Sequence, residues 1–237
     1  MFATVGHIAM KSFMLLWLYT SPHSWRGLPT PEPGPPVVVD GPKPQRVLVC
    51  GSGIVVGYGV ASYELALGGS LARSLSTLTG RGAEVSTIAG PRMATQAAKS
   101  RLKAEVLDGL DAVVLSFGTF DLLSFLPANV WGRGMSELVD SVLAQSQSQT
   151  QVFIMNCTAP KMSKFPSSYR RHLLRLTSAY NDEIRSLVQR RDRVHQINFA
   201  PKPEDAEAVA GRQSYRTWAE QIAPDIAEEL RGHTTGD

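Results

Sequence analysis

Two short groups of small and polar residues in this 237-residue chain could support chemistry, and each follows an apolar run. The groups are Gly51-Ser52-Gly53 and Gly118-Thr119-Phe120-Asp121. A serine hydroxyl is a weak nucleophile on its own, and it needs a neighbouring base to activate it. Ser52 and Asp121 are therefore the candidate catalytic pair, provided that the fold brings their two loops together.

Apolar runs alternate with amphipathic segments along the main part of the chain. The apolar runs predict five buried strands at residues 46–50, 84–89, 112–117, 151–156 and 194–199. The segments with helical spacing predict helices at residues 65–78, 94–107, 131–146, 169–190 and 214–230. This alternation predicts a three-layer α/β/α sandwich around a five-stranded parallel sheet. Because such folds bind ligands at the carboxyl ends of their strands, the loops at that edge carry any function.

Four motifs, three at predicted strand ends and the fourth at the start of the last predicted helix, occur in an order that resembles the SGNH (GDSL-type) hydrolases. Residues 46–60 resemble the first block, in which a strand ends in Gly-Asp-Ser and the serine is the nucleophile. Gly90 falls where a second-block glycine donates its backbone N–H to the oxyanion. Residues 118–121 resemble the Gly-x-Asn-Asp block, and residues 214–219 resemble the Gly-Tyr-x-x-Trp-Ala stretch after the final Asp-x-x-His-Pro. The proline-rich lead-in is similar to that of actinobacterial members, and the resemblance implies a flavodoxin-like SGNH fold.

The chain departs from this pattern at the residues that perform the chemistry. Ser52 stands where the family has aspartate, Gly53 where it has the nucleophile, and Phe120 where it has the oxyanion asparagine. Counting back from the last motif places the family's aspartate at Ala206 and its histidine at Val209. No histidine lies between His195, at the start of a predicted strand, and His233, in the tail.

These departures predict an SGNH-like domain that is catalytically inactive or strongly impaired. Loss of a serine hydrolase's nucleophile or base lowers turnover by on the order of 10⁶, and loss of one oxyanion donor lowers it by roughly 10²–10³. The candidate pocket is lined by Gly51, Gly53, Gly90, Gly118, Thr119 and Phe120. It would bind a small ligand or a protein, or the domain would serve as a scaffold.

An alternative is an ester or acyl hydrolase in which Ser52 is a displaced nucleophile, with Asp121 as its partner. Against this, Ser52 is interpreted as a turn serine that bonds nearby backbone. Asp121 is interpreted as a helix N-cap or a turn-bonding carboxylate. These interpretations give neither side chain a catalytic role.

The segments before the domain leave several functions open. Residues 1–27 are apolar-rich, residues 28–45 contain seven prolines and predict an extended spacer, residues 46–231 form the domain, and residues 232–237 form a tail. Residues 1–19 could form a helix that packs on protein, a peripheral membrane anchor of an interaction module, or an export segment. A cytoplasmic or peripheral-membrane location is expected, with export left open.

Composition argues against several other classes of protein. The net charge of +3 is mild, no zinc-finger spacing occurs and the basic residues are not interleaved with a run of aromatics, so nucleic-acid binding is not predicted. The glycines after residue 50 do not fit the dinucleotide spacing, and no metal site or cofactor is expected. Cys50 and Cys157 end two different predicted strands with one strand between them, so we expect two free, buried thiols.

Overall fold

The computed structural model describes residues 27–159, 167–201 and 212–232, together with Ser12, Leu16 and Thr20. The predicted helix or membrane contact of residues 1–19 lies almost wholly outside the described residues, and so do the positions of Ala206 and Val209. No helix in the described ranges is long and apolar enough to cross a membrane.

The described chain forms six strands and seven helices. The strands are β1 (Val37–Val39), β2 (Gln45–Gly51), β3 (Ala83–Ala89), β4 (Ala112–Ser116), β5 (Gln151–Met155) and β6 (Val194–Ile197). The helices are α1 (Leu67–Thr79), α2 (Thr95–Arg101), α3 (Ala104–Leu107), α4 (Thr119–Leu123), α5 (Ala128–Gln145), α6 (Ser167–Val188) and α7 (Arg212–Gly232). The predicted α/β architecture is confirmed.

The sheet contains one strand more than the five expected. Its order is β1-β3-β2-β4-β5-β6, and every pair is parallel except β1 with β3. Strand β1 lies in the proline-rich segment that was expected to be a spacer. Strand β1 consists of three valines and contains no proline, and valine favours extended strands. Because β1 is an edge strand, the prolines on either side of it are tolerated. Part of the expected spacer therefore belongs to the domain.

The single helix expected over residues 94–107 is wrong, because the structure divides it into α2 and α3. Lys103, between them, is extended with φ −92° and ψ 166°. Leu102 and Leu107 are 1% and 0% exposed. In one continuous helix, residues five apart point about 140° away from each other. The break lets both leucines enter the same core.

Helices cover both faces of the sheet, as a largely parallel sheet requires. One core lies beneath α2, α3, α5 and α6, and the other lies beneath α1 and α7. Helix α1 ends at Thr79, and Gly80, with a left-handed φ of 67°, forms its C-cap. Cys50 and Cys157 are free and buried, which confirms the prediction for both thiols.

The strand order brings together the two loops that carry the candidate residues. From β2 the chain crosses to β3 on one side, and from β3 it crosses back to β4 on the other side of β2. The chain therefore leaves the neighbouring strands β2 and β4 in opposite directions, and a crevice forms between the two loops. Ligands bind in such crevices in open α/β sheets.

Candidate functional site

The loop after β2 is held tightly against the end of β4. Gly51 has a φ of 151°, and a Cβ atom at this position would collide with the Ser116 carbonyl. The Ser52 N–H donates to the same carbonyl oxygen at 2.8 Å. Gly53 then begins a short 3-10 turn, Gly53–Val56. Backbone contact thus fixes the first loop.

Gly53, at the position that resembles the family's nucleophile, lies against the Thr119 side chain. Its φ is 66°, a left-handed value that glycine adopts without strain. An added Cβ would lie 2.7 Å from Thr119 Oγ1 and 3.4 Å from Thr119 Cβ. A serine at position 53 would therefore crowd the Thr119 hydroxyl, which would have to turn away.

Ser52 is buried and its hydroxyl is unpartnered. The residue is 1% exposed, and Ser52 Oγ has no hydrogen-bond partner. Its expected role as a turn serine bonding nearby backbone through the side chain is wrong. The backbone there is extended, with φ −129° and ψ −171°, and the side chain makes no cap hydrogen bond to the following turn.

The remaining glycines of the candidate pocket serve backbone contacts. The Gly90 N–H, expected to face an oxyanion, donates instead to the Gly51 carbonyl at 3.1 Å. Gly118 has a φ of 116° and precedes α4, and a Cβ atom there would collide with Cys157 Sγ. Phe120 is half-buried on α4 and offers no polar side-chain donor. Of these three residues, Gly90 has its N–H engaged with backbone, Gly118 has no space for a side chain, and Phe120 supplies no polar group.

Asp121 lies in the first turn of α4 and is 5% exposed. It is not a helix N-cap, because Gly118 holds that position, but its carboxyl bonds to its own backbone, in keeping with the turn-bonding carboxylate that was the other expectation. Burial raises the pKa of Asp121 to about 6, while the indole of Trp131 acts to lower it. Asp121 Oδ2 has no hydrogen-bond partner that meets a strict geometry, nor does Trp131 Nε1. The carboxyl therefore sits beside the indole without a well-aligned bond to it.

The surroundings of Asp121 belong to the core beneath the site. Trp131 stacks on Tyr180 with ring centroids 4.3 Å apart, and the Tyr180 hydroxyl donates to the Leu126 carbonyl at 2.8 Å. Burial first, and then the charge of Asp121, raises the pKa values of Tyr180 and Cys157. Ser52 Oγ and Asp121 Oδ2 do not bond to each other, since each lacks a partner. The candidate pair is thus not assembled.

The two histidines in the described ranges have other partners. His195 Nε2 lies 2.9 Å from Gln151 Oε1, and His195 Nδ1 lies 3.4 Å from Glu229 Oε1. Gln151 begins β5, so His195 is near the amino ends of the strands, away from the first loop. His172, which sequence reasoning passed over, packs on Phe125 with ring centroids 5.3 Å apart. Among the described side chains, no group of three or more His, Cys, Asp or Glu forms a metal site.

Comparison with solved structures identifies the fold. The lipase Lip_vut3 from a goat rumen metagenome is 16% identical with a TM-score of 0.60, covering 79% of this chain and 96% of its own. The aryl esterase of M. smegmatis is 16% identical with a TM-score of 0.57, covering 79% and 99%. The esterase EstA from Pseudoalteromonas sp. is 14% identical with a TM-score of 0.57, covering 81% and 100%.

This chain therefore has the fold of the SGNH (GDSL-type) lipases and esterases, as the motif order implied. No protein-family model matches the sequence, and the search of curated proteins gives no significant match.

Proposed function

We propose that this chain is an SGNH-fold domain that does not hydrolyse esters efficiently, and that its carboxyl edge binds a ligand or protein partner or acts as a scaffold. The observation that carries the proposal is the state of position 53. A left-handed glycine stands there, and the Thr119 side chain lies against it. Covalent catalysis needs a nucleophile, a base within reach and donors for the oxyanion.

The residues around position 53 support the same proposal. Ser52 is the nearest serine in sequence, but its hydroxyl is buried and bonds to nothing. Without a base, a serine hydroxyl stays protonated and weakly nucleophilic. The Gly90 N–H is already engaged with Gly51. Each part of the usual machinery is therefore missing or committed to a structural contact.

Hydrolysis of p-nitrophenyl acetate and butyrate by the full chain tests the proposal. We expect the wild type to hydrolyse both esters no faster than a heat-inactivated sample of the same protein. Ser52→Ala and Thr119→Ala should have the same rate, with Ser124→Ala as a matched control outside the loop after β2. Circular dichroism melting shows that each variant is folded.

A specific result would overturn the proposal and name its replacement. Hydrolysis above background that Ser52→Ala abolishes would establish the displaced-serine esterase. If Thr119→Ala abolished it instead, the threonine beside position 53 would be the nucleophile. Loss in Ser124→Ala as well would point to a general effect on folding, which the melting curves would reveal.

A further inference from the structure

A groove runs between α1 and α7 on one face of the domain, separate from the loops after β2 and β4. Its volume is about 780 Å³, which lies in the range of small-molecule sites. Both helices begin at the carboxyl edge of the sheet and run back along it, so their residues face each other in order. Six residues line the end of the groove nearer that edge: Ser70, Arg73, Ser74, Arg212, Gln213 and Arg216.

Three guanidinium groups meet at this end of the groove. Arg216 pairs with Glu220 at 3.0 Å, and in the described part of the chain no acidic side chain forms an ion pair with Arg212. Arg73 donates from Nη2 to the Glu64 carbonyl at 2.9 Å and to Ser70 Oγ at 3.3 Å. These two bonds orient the Arg73 guanidinium and use one of its nitrogens. The basic end thus keeps donors available.

The like charges act on one another across the groove. Partial burial and then the charge of Arg212 lower the pKa of Arg73, and Arg216 adds to that effect. Glu64 acts in the opposite direction. An anion between the arginines would relieve this repulsion. Planar guanidinium groups bind phosphate and carboxylate oxygens through paired hydrogen bonds, and arginine is favoured where such anions are recognised.

The other end of the groove differs in chemistry. It is lined by Thr77, Leu78, Glu220 and Pro224. Leu78 and Pro224 form an apolar wall, and the Glu220 carboxylate, which pairs with Arg216, lies between this wall and the arginines. About two turns of α1, or roughly 12 Å, separate Ser70 from Leu78. The two ends therefore fit a compact molecule with one anionic end better than a chain of repeated phosphates.

We infer that this groove binds a small ligand that carries one phosphate group, with Arg73, Arg212 and Arg216 around the phosphate and the rest of the ligand toward Leu78 and Pro224. Phosphate is favoured over carboxylate because three guanidinium groups offer more donors than one carboxylate can accept. The Ser70 and Ser74 hydroxyls add donors at the same end. The inference does not depend on whether the domain hydrolyses esters.

Calorimetric titration of the full chain with phenyl phosphate tests this site, because that probe joins one phosphate to one apolar ring. Inorganic phosphate and benzoate are titrated in parallel at constant ionic strength. We expect saturable binding of phenyl phosphate, weaker binding of inorganic phosphate, and benzoate weakest of the three. Arg73→Gln and Arg212→Gln should each weaken phenyl phosphate binding about tenfold or more, since each removes a charged hydrogen-bonding group.

Arg175→Gln is the matched control, because Arg175 is an exposed arginine on α6, on the other face of the sheet. It should bind phenyl phosphate as the wild type does. Absence of saturable binding, or equal weakening in the control, would overturn the site. Benzoate binding as tightly as phenyl phosphate would overturn the assignment to phosphate.

Discussion

The loops after β2 and β4 are closely packed, whereas the groove between α1 and α7 is open. At the loops, glycines let backbone approach backbone, and Thr119 lies against Gly53. Along the groove, two helices leave a volume of about 780 Å³ open, and arginines extend into it. The position that resembles a catalytic centre is closed, while the open, charged surface lies where the family resemblance gave no reason to look.

This contrast separates a fold from the function usually placed on it. An SGNH fold brings the two loops together whatever residues they carry, because the strand order dictates their meeting. Function needs particular side chains with room and partners. Variants in the two regions should therefore respond differently, with stability changing at the loops and ligand binding changing at the groove.

The largest expected effect is on stability, from Gly118→Ala. A methyl group there would meet Cys157 Sγ, and alanine would also be strained at a φ of 116°. Left-handed strain costs about 1–2 kcal/mol and overpacking typically adds about 1–3 kcal/mol. We expect the free energy of unfolding to fall by about 2–5 kcal/mol, measured by urea denaturation.

Gly80→Ala is the matched control for that variant. Gly80 also has a left-handed φ, of 67°, but nothing lies within 4 Å of the added methyl group. It should lose about 1–2 kcal/mol from strain alone. An equal loss in both variants would show that the loop after β4 is not tightly packed, and the contrast with the groove would fail.

The next effect comes from Asp121, the buried carboxyl under the site. Its pKa is raised to about 6, so the unfolded chain loses this proton at a lower pH than the folded protein does. The ionisation of Asp121 does not change the free energy of unfolding below about pH 4. It lowers that free energy as the pH rises from 4 to 6, and the loss stays constant above about pH 6. Two pKa units correspond to about 3 kcal/mol.

Asp121→Asn should therefore be more stable than the wild type at pH 7 by about 2–3 kcal/mol, with the difference vanishing near pH 4. Urea denaturation at both pH values measures this, and Asp192→Asn, at an exposed position, is the control. A stability difference that is the same at pH 4 and pH 7 would show that the carboxyl does not titrate in this window.

Local sequence patterns were sufficient to predict most of the fold. A local pattern was enough to predict strand β4, from the apolar run at residues 112–117. The same holds for helix α1, from the leucines at 67, 71, 75 and 78. The exceptions depended on distant partners. Strand β1 forms because β3 has a free edge beside it, and the break before Lys103 forms because two leucines share one core.

The site was predictable in place but not in detail. The order of the motifs located the loops, and the residue types showed which chemical groups were replaced. The approach of Thr119 to position 53, and the position of Arg73 and Arg212 in one groove, each bring together segments far apart in the chain. Neither leaves a local pattern in the sequence. The sequence did not predict the groove, because its arginines lie on the polar faces of two separate amphipathic helices, where charged residues are usual.

A smaller effect is expected from Ser52→Ala. Because Ser52 Oγ is buried and unpartnered, its removal should leave stability unchanged or raise it by up to about 1 kcal/mol. Thr150→Val is the matched control, since the buried Thr150 hydroxyl donates to the Leu110 carbonyl at 2.7 Å. That variant should lose about 1 kcal/mol. Equal losses in thermal or urea unfolding would mean that Ser52 Oγ has a partner after all.

The smallest effect on stability should come from the groove itself. Arg212 is exposed, and substitutions at such positions usually change the free energy of unfolding by less than about 0.5 kcal/mol. In chloride buffer, Arg212→Gln should accordingly have the same midpoint of urea unfolding as the wild type. Phenyl phosphate should stabilise the wild type, because a ligand that binds the folded state alone raises stability with its concentration. The variant should lose most of that stabilisation. A large loss of stability in chloride alone would instead make Arg212 a structural residue, and the groove would then resemble the closed loops rather than differ from them.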